Sequence, residues 1–185
     1  MLSLSLSNAP KTILLLGAHC DDIEIGCAAT VLSLIDNFPD AHFEWIVFSS
    51  TPSRAQEATR SANKLLANAI SRNVLIENFR NGYFPYIGEQ IKDYFESLKA
   101  RINPDLILTH HLDDRHQDHR TLAEITWNTF RDHFIMEYEI PKYDGGLRTP
   151  NCFIPVTQES ADKKTAVEFW NLILHNELIA ECIPC

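Results

Sequence analysis

The chain is short of positive charge. Lysine and arginine number 16 against 25 aspartates and glutamates, a formal net charge of -9. That balance argues against gripping a phosphate backbone as the main task, since such binding needs a basic face, although it does not exclude a local anion site. Long apolar runs are also missing. Residues 1–7 (MLSLSLS) carry no basic n-region and no continuous h-region, and the run from Ile13 to Leu16 is far too short to span a bilayer. The five cysteines are odd in number and lack the spacing of a disulfide framework, which fits a reducing compartment. There is no internal repeat, linker or low-complexity tract. What remains is the expectation of a cytoplasmic, soluble protein. Its 185 residues, 45% of them hydrophobic, are enough for one sizeable core and form a single domain over 1–185.

Strand signals alternate with helical ones. Residues 12–17, 43–49, 73–79 and 105–109 read as strands. Between them runs a 3.6-residue period: Ile25, Ala28, Ala29, Leu32 and Ile35; then Ala55, Ala58, Ala62, Leu65, Leu66 and Ala69; then Ile91, Tyr94, Phe95, Leu98 and Ile102. Pro104 lies beyond the end of that third helix. A fourth helix starts near Asp118 with Leu122, Ile125, Thr129 and Phe130, and a fifth runs from about 160 to 175. Residues 142–155, with Gly145-Gly146 and flanking prolines, read as an irregular loop or short edge strands. This order predicts βαβ units, hence an α/β, Rossmann-like three-layer sandwich on a mostly parallel sheet.

A parallel sheet collects ligands beyond the carboxyl ends of its strands. The first strand delivers His19, Asp21 and Asp22 there, and the fourth delivers His110-His111-Leu112-Asp113-Asp114-Arg115-His116-Gln117-Asp118-His119. Catalytic zinc takes three protein ligands and keeps one position open. His19 and Asp22, three residues apart across a sharp turn, can aim at one point, and His119 can supply the third ligand. Asp21 and His116 then remain as acid–base groups, the inventory of metal-assisted hydrolysis. The plainer readings are an acidic helix start for Asp21 and Asp22, structural or merely neighbouring roles for His110 and His111, and an ordinary solvated helix pair for Arg54 and Glu57.

The stretch Ala18-His19-Cys20-Asp21-Asp22 resembles the Ala-His-Pro-Asp-Asp signature of the LmbE-like/PIG-L family of zinc-dependent deacetylases. His116-Gln117-Asp118-His119 resembles its second motif, His-x-Asp-His, and Arg54 and Glu57 are similar to the Arg-x-x-Glu that follows the family's second strand. The resemblance covers about residues 12–156. It implies that His19, Asp22 and His119 hold the metal, Zn²⁺ or an Fe²⁺ sharing the ligand set. It implies further that Asp21 is the general base and that His116 stabilises the oxyanion or protonates the leaving amine. Asp118 would orient a histidine, and Arg54 would bind a polar or phosphorylated part of the substrate. The implied reaction removes the N-acetyl group from an N-acetylglucosamine-type sugar or conjugate. The expected partner is that small molecule, and self-association into a homo-oligomer is expected.

Two departures stand out. Cys20 replaces the proline that would stiffen the ligand turn, either loosening it or placing a thiol near the metal. The chain also ends at Cys185, earlier than the resemblance leads one to expect. Two rival readings use the same residues: a 2-His-1-carboxylate Fe(II) enzyme, and a non-catalytic sugar-binding or metal-stabilised remnant. The adjacent acid–base groups Asp21 and His116 and the alternating βα order favour hydrolysis over the oxygenase.

Overall fold

The computed structural model describes residues 8–141 and 149–163. Five strands, β1 (Thr12–Gly17), β2 (His42–Val47), β3 (Ser71–Ile76), β4 (Leu106–His110) and β5 (Phe134–Tyr138), form one sheet in the order β3-β2-β1-β4-β5. Every pairing is parallel. Four helices connect them: α1 (Asp22–Asn37), α2 (Pro52–Leu65), α3 (Gly88–Arg101) and α4 (Gln117–Thr129).

The pleat of β1 explains the layers. Ile13 and Leu15 point to one face and pack with Ile23, Ala28 and Val31 of α1 and Ala58 and Ala62 of α2. Leu14 and Leu16 point to the other, against Ile91, Phe95 and Leu98 of α3 and Leu122 of α4. A strand buried on both faces reads as a continuous apolar run, which is what β1 shows. The α/β three-layer expectation therefore holds, and among the described residues the sheet is wholly parallel.

Several expected bounds need correction: β2 spans His42–Val47 rather than 43–49, and β3 ends at Ile76 rather than 79. Residues 134–138 were not read as a strand, yet they form β5, in register with β4 (Leu106↔Phe134 to His110↔Tyr138). Strand β3 begins two residues early, at Ser71, because its first half is exposed and polar and carries no burial pattern. Strand β4 runs one residue further than 105–109, to His110. A helical stretch is seen over 158–163; the rest of the fifth helix expected to about 175, and residues 142–148 of the expected loop, lie outside the described residues. No helix among the described residues is long and apolar enough to cross a membrane.

Strand order reverses between β1 and β4. The crevice at their carboxyl ends is the topological switch point, where open α/β sheets bind ligands.

Candidate metal centre

His19 and Asp22 sit on the turn from β1 into α1. That turn is closed by the Asp22 N–H donating to the His19 carbonyl (3.4 Å) and tied back by the His19 N–H donating to Asp22 Oδ2 (2.7 Å). His119 arrives on the first turn of α4, 100 residues along the chain from His19. Three donor atoms meet. His19 Nδ1 lies 3.1 Å from His119 Nε2, and Asp22 Oδ2 lies 3.4 Å from each of them. Tetrahedral zinc with bonds of about 2.0–2.1 Å needs ligand atoms roughly 3.3–3.4 Å apart, so this triangle has the size such an ion requires.

The far nitrogens fit as well. His19 Nε2 is 3.2 Å from Asp118 Oδ2, and His119 Nδ1 is 3.0 Å from Asp114 Oδ2. Both imidazoles thus have the carboxylate backing that orients metal-binding histidines. Two further groupings are close enough to share an ion: His19, His116 and His119, and Asp22, His110 and His119.

The charges are strongly coupled. Burial alone would lower the His19 imidazole, but Asp22 and Asp118 outweigh it and push it up to about 10. Burial would raise Asp22, yet the surrounding His110, His119 and His19 hold it well below the usual carboxylate range. His119 is raised, against the effect of burial, by Asp22 and Asp114. Burial drives His116 down to about 4, and His119 and His19 add to that.

His116 is the N-cap of α4, its Nδ1 accepting the Asp118 N–H at 3.2 Å. With that lone pair engaged, a neutral His116 carries its proton on Nε2, the nitrogen left to face the cluster. Asp118 is fully buried. Its Oδ2 takes the Gly82 N–H (2.6 Å) and its Oδ1 the Phe84 N–H (3.1 Å). Gln117 Nε2 also donates to the Gly82 carbonyl. The first turn of α4 therefore pins the 80–88 loop, in which Gly82 has φ +78° and Tyr83 and Tyr86 are exposed. Glycine is the residue that takes this backbone conformation at little cost.

Asp21 stays out of the donor triangle, and its Oδ2 lies 3.4 Å from Arg54 Nη2 on the first turn of α2. Cys20 is buried, its thiol within hydrogen-bond reach of Ser50 Oγ (3.1 Å) and the Ser49 carbonyl (3.5 Å), to one of which its single proton is donated. Burial pushes that thiol's pKa up, and neither candidate metal grouping includes it. In place of a proline's rigidity, the turn has a thiol anchored to the β2–α2 loop. His111 turns towards Glu137 (Nε2–Oε2 3.6 Å), whereas His110 lies fully buried in the cluster, its Nε2 3.1 Å from Asp22 Oδ2. His110, read as structural or merely neighbouring, lies directly against the donor residues. The signal lay in strand periodicity, since 106, 108 and 110 share the face that looks onto α1.

Fold and site define a parallel α/β protein with a His/Asp cluster able to hold a divalent cation at its switch point. The PIG-L family, GlcNAc-PI de-N-acetylase, matches residues 14–130, well over half of the chain. The chain belongs to that family. Among solved structures, a deacetylase mutant involved in the teicoplanin biosynthetic pathway superposes with a TM-score of 0.69 at 14% identity, over 89% of this chain and 85% of that one. The N,N'-diacetylchitobiose deacetylase from Pyrococcus horikoshii does so at 0.62 and 20%, over 92% and 79%. The 4-carboxy-2-hydroxymuconate hydratase GalB from Pseudomonas putida KT2440 reaches 0.61 at 12%, over 95% and 92%. At these identities the superpositions establish the fold alone, and a hydratase among them shows that this fold carries more than one reaction.

Proposed function

We propose that the protein is a metal-dependent N-deacetylase acting on an N-acetylglucosamine-type sugar or conjugate, with His19, Asp22 and His119 holding the ion. The donor triangle of 3.1, 3.4 and 3.4 Å carries this reading. A divalent cation there would polarise the acetamide carbonyl and acidify a water, the ion being Zn²⁺ or an Fe²⁺ with the same ligand preference.

The chain's own residues supply the rest. Asp21, beside the triangle and not in it, takes the proton of the attacking water. The water oxygen bonds to the acetyl carbon, and the carbonyl oxygen becomes an oxyanion. His116 Nε2–H, fixed in that tautomer by the cap to Asp118, donates to the oxyanion, a contact of the kind worth roughly 3–4 kcal/mol. The C–N bond then breaks, acetate leaves, and the proton held on Asp21 passes to the departing amine. Asp114 and Asp118 hold the two imidazoles in orientation. Tyr86, on the loop pinned by Asp118, offers an exposed ring that suits a sugar face, whereas Arg80 covers one face of Tyr83. Arg54 stands where it can steady Asp21 and meet a polar substituent.

The test is acetate release from N-acetylglucosamine conjugates by the purified chain with added Zn²⁺ or Fe²⁺, run beside Asp21→Asn. Wild type should turn over, and Asp21→Asn should retain metal while losing turnover. If wild type binds no divalent ion and none supports activity, the proposal is wrong.

A further inference from the structure

Three segments must be held in fixed relation if the donor triangle is to keep its size: the turn after β1, the start of α1 and the first turn of α4. One buried ring touches all three. His110, the last residue of β4, has no exposed surface. Its Nε2 accepts the Ala18 N–H at 3.0 Å, immediately before His19. The same nitrogen lies 3.1 Å from Asp22 Oδ2. Its face stacks on His119, with centroids 3.9 Å apart and planes within 17°.

Below the ring stands its register partner on β5, Tyr138. The Tyr138 hydroxyl donates to the Leu16 carbonyl (2.7 Å) and lies 3.4 Å from His110 Nε2, the two rings being 4.9 Å apart. That hydroxyl proton is committed to Leu16, so the Ala18 N–H is the donor left to Nε2. With its lone pair so engaged, the ring carries its proton on Nδ1, which has no hydrogen-bond partner among the described residues. The Asp22 carboxylate is set against the same edge of the ring, 3.1 Å away.

We propose that His110, seated on Tyr138, is the positioning residue of the metal centre: by accepting the Ala18 N–H and stacking on His119 it sets the spacing of His19, Asp22 and His119. This rests on the reading of those three as ligands. A residue that filled space alone would need its ring and not its nitrogen, and that difference can be measured. His110→Phe keeps the ring and the stack but removes the acceptor. His110→Gln gives up the ring but returns an acceptor near the Nε2 position.

The experiment titrates the full-length apoprotein with Co²⁺ and follows its visible absorption, with no substrate present. For His110→Phe the expected result is roughly 10–100-fold weaker Co²⁺ binding, the usual effect of losing a group that supports a ligand. A changed band shape should accompany it, reporting altered ligand spacing. His110→Gln should bind within a few-fold of wild type. Phe binding Co²⁺ like wild type with the same spectrum, or Gln as weak as Phe, overturns the proposal.

Asp22→Asn separates the two readings. If it binds Co²⁺ as wild type does, the ligand assignment has failed; if it loses Co²⁺ while His110→Phe does not, only the positioning role has. Should His110→Phe fail to fold, ¹⁵N NMR of the wild-type apoprotein decides. The proposal requires His110 Nε2 to be unprotonated and scalar-coupled to the Ala18 amide, and a proton found on Nε2 overturns it.

Discussion

The guanidinium of Arg54 stands 3.4 Å from the Asp21 carboxylate, Nη2 to Oδ2, joining the first turn of α2 to the cap of α1. The amino end of a helix repels positive charge, and α2 has no acidic residue in its first turn to offset it. Asp21 is a partner that offsets it. On the proposed mechanism, in which Asp21 is the base, Arg54 keeps that carboxylate in place, a role distinct from the substrate contact expected of it. Arg54→Met keeps the stem and removes the charge. It is expected to lower kcat about tenfold, the effect of losing a charge-assisted contact of ~1.4 kcal/mol. KM for an uncharged sugar should stay close to wild type. Steady-state kinetics on a neutral N-acetylglucosamine conjugate check the split, and a rise in KM at constant kcat would return Arg54 to substrate binding alone.

His116 offers a substitution that separates capping from catalysis. Its Nδ1 caps α4, and its ring lies beside those of His19 and His119. Asparagine is among the best N-cap residues but cannot reach the Nε2 position. His116→Asn should therefore melt within a few degrees of wild type while kcat falls about 10²–10³-fold, the loss typical of one oxyanion donor. Thermal unfolding and acetate release on the same preparation read the two effects apart.

Asp118 joins the His/Asp cluster to the 80–88 loop. One carboxylate holds His19 and the backbone N–H groups of Gly82 and Phe84. An amide at this position presents its NH₂ to at least one of those donors. Asp118→Asn is expected to weaken Zn²⁺ binding roughly 10–100-fold and to raise hydrogen exchange across 80–88, because one group serves both. Unchanged loop exchange together with weakened metal binding would mean that Gln117 alone holds the loop.

Much of this is legible in the amino-acid sequence. β1 has the expected bounds because its Ile13–Leu16 run is buried on both faces, and a run of that kind is hard to misread. His19, Asp22 and His119 converge as their motifs implied, because a strand end and a helix start at a switch point leave little freedom. β5 was missed because Phe130 and Phe134 are four apart and continue the helical period of α4. Phe134 is also half exposed, so β5 lacks a clean alternating burial signal. The Arg54–Asp21 pair joins two separate loops and leaves no trace in local spacing. The seat of His110 on Tyr138 depends on a strand pairing that was itself unread.

Gly26 closes that account. It lies in the interior of α1, where glycine normally costs roughly 0.5–1 kcal/mol relative to alanine. A Cβ at this position would overlap the Tyr138 ring, so the glycine is what lets Tyr138 lie under His110. Gly26→Ala should therefore destabilise by about 1–3 kcal/mol despite its better propensity. In a Tyr138→Ala background the same change should become neutral or stabilising. A double-mutant cycle by denaturant unfolding measures the reversal of sign, and a loss of equal size in both backgrounds would place the clash elsewhere.

Glu24, on the first turn of α1, makes stability depend on pH. It is 1% exposed, and neither carboxyl oxygen has a hydrogen-bond partner. Burial, with Asp21 and Asp22 adding to it, pushes the carboxyl up to about 8 from an ordinary 4.5; the Ser61 hydroxyl draws it down only in part, and without a hydrogen bond of normal geometry. The unfolded chain gives up this proton near 4.5, while the folded chain keeps it to about 8. Between those values the folded state binds more protons, so stability falls as pH rises and levels off above about 8. Glu24→Gln keeps the shape and has no proton to lose. Its melting temperature should match wild type closely below about pH 4.5 and exceed it at about pH 8, by roughly 2–4 °C per kcal/mol for a chain of this size. Thermal scans of the two proteins across this range should diverge steadily with rising pH. Parallel curves would mean that Glu24 is ionised and compensated throughout.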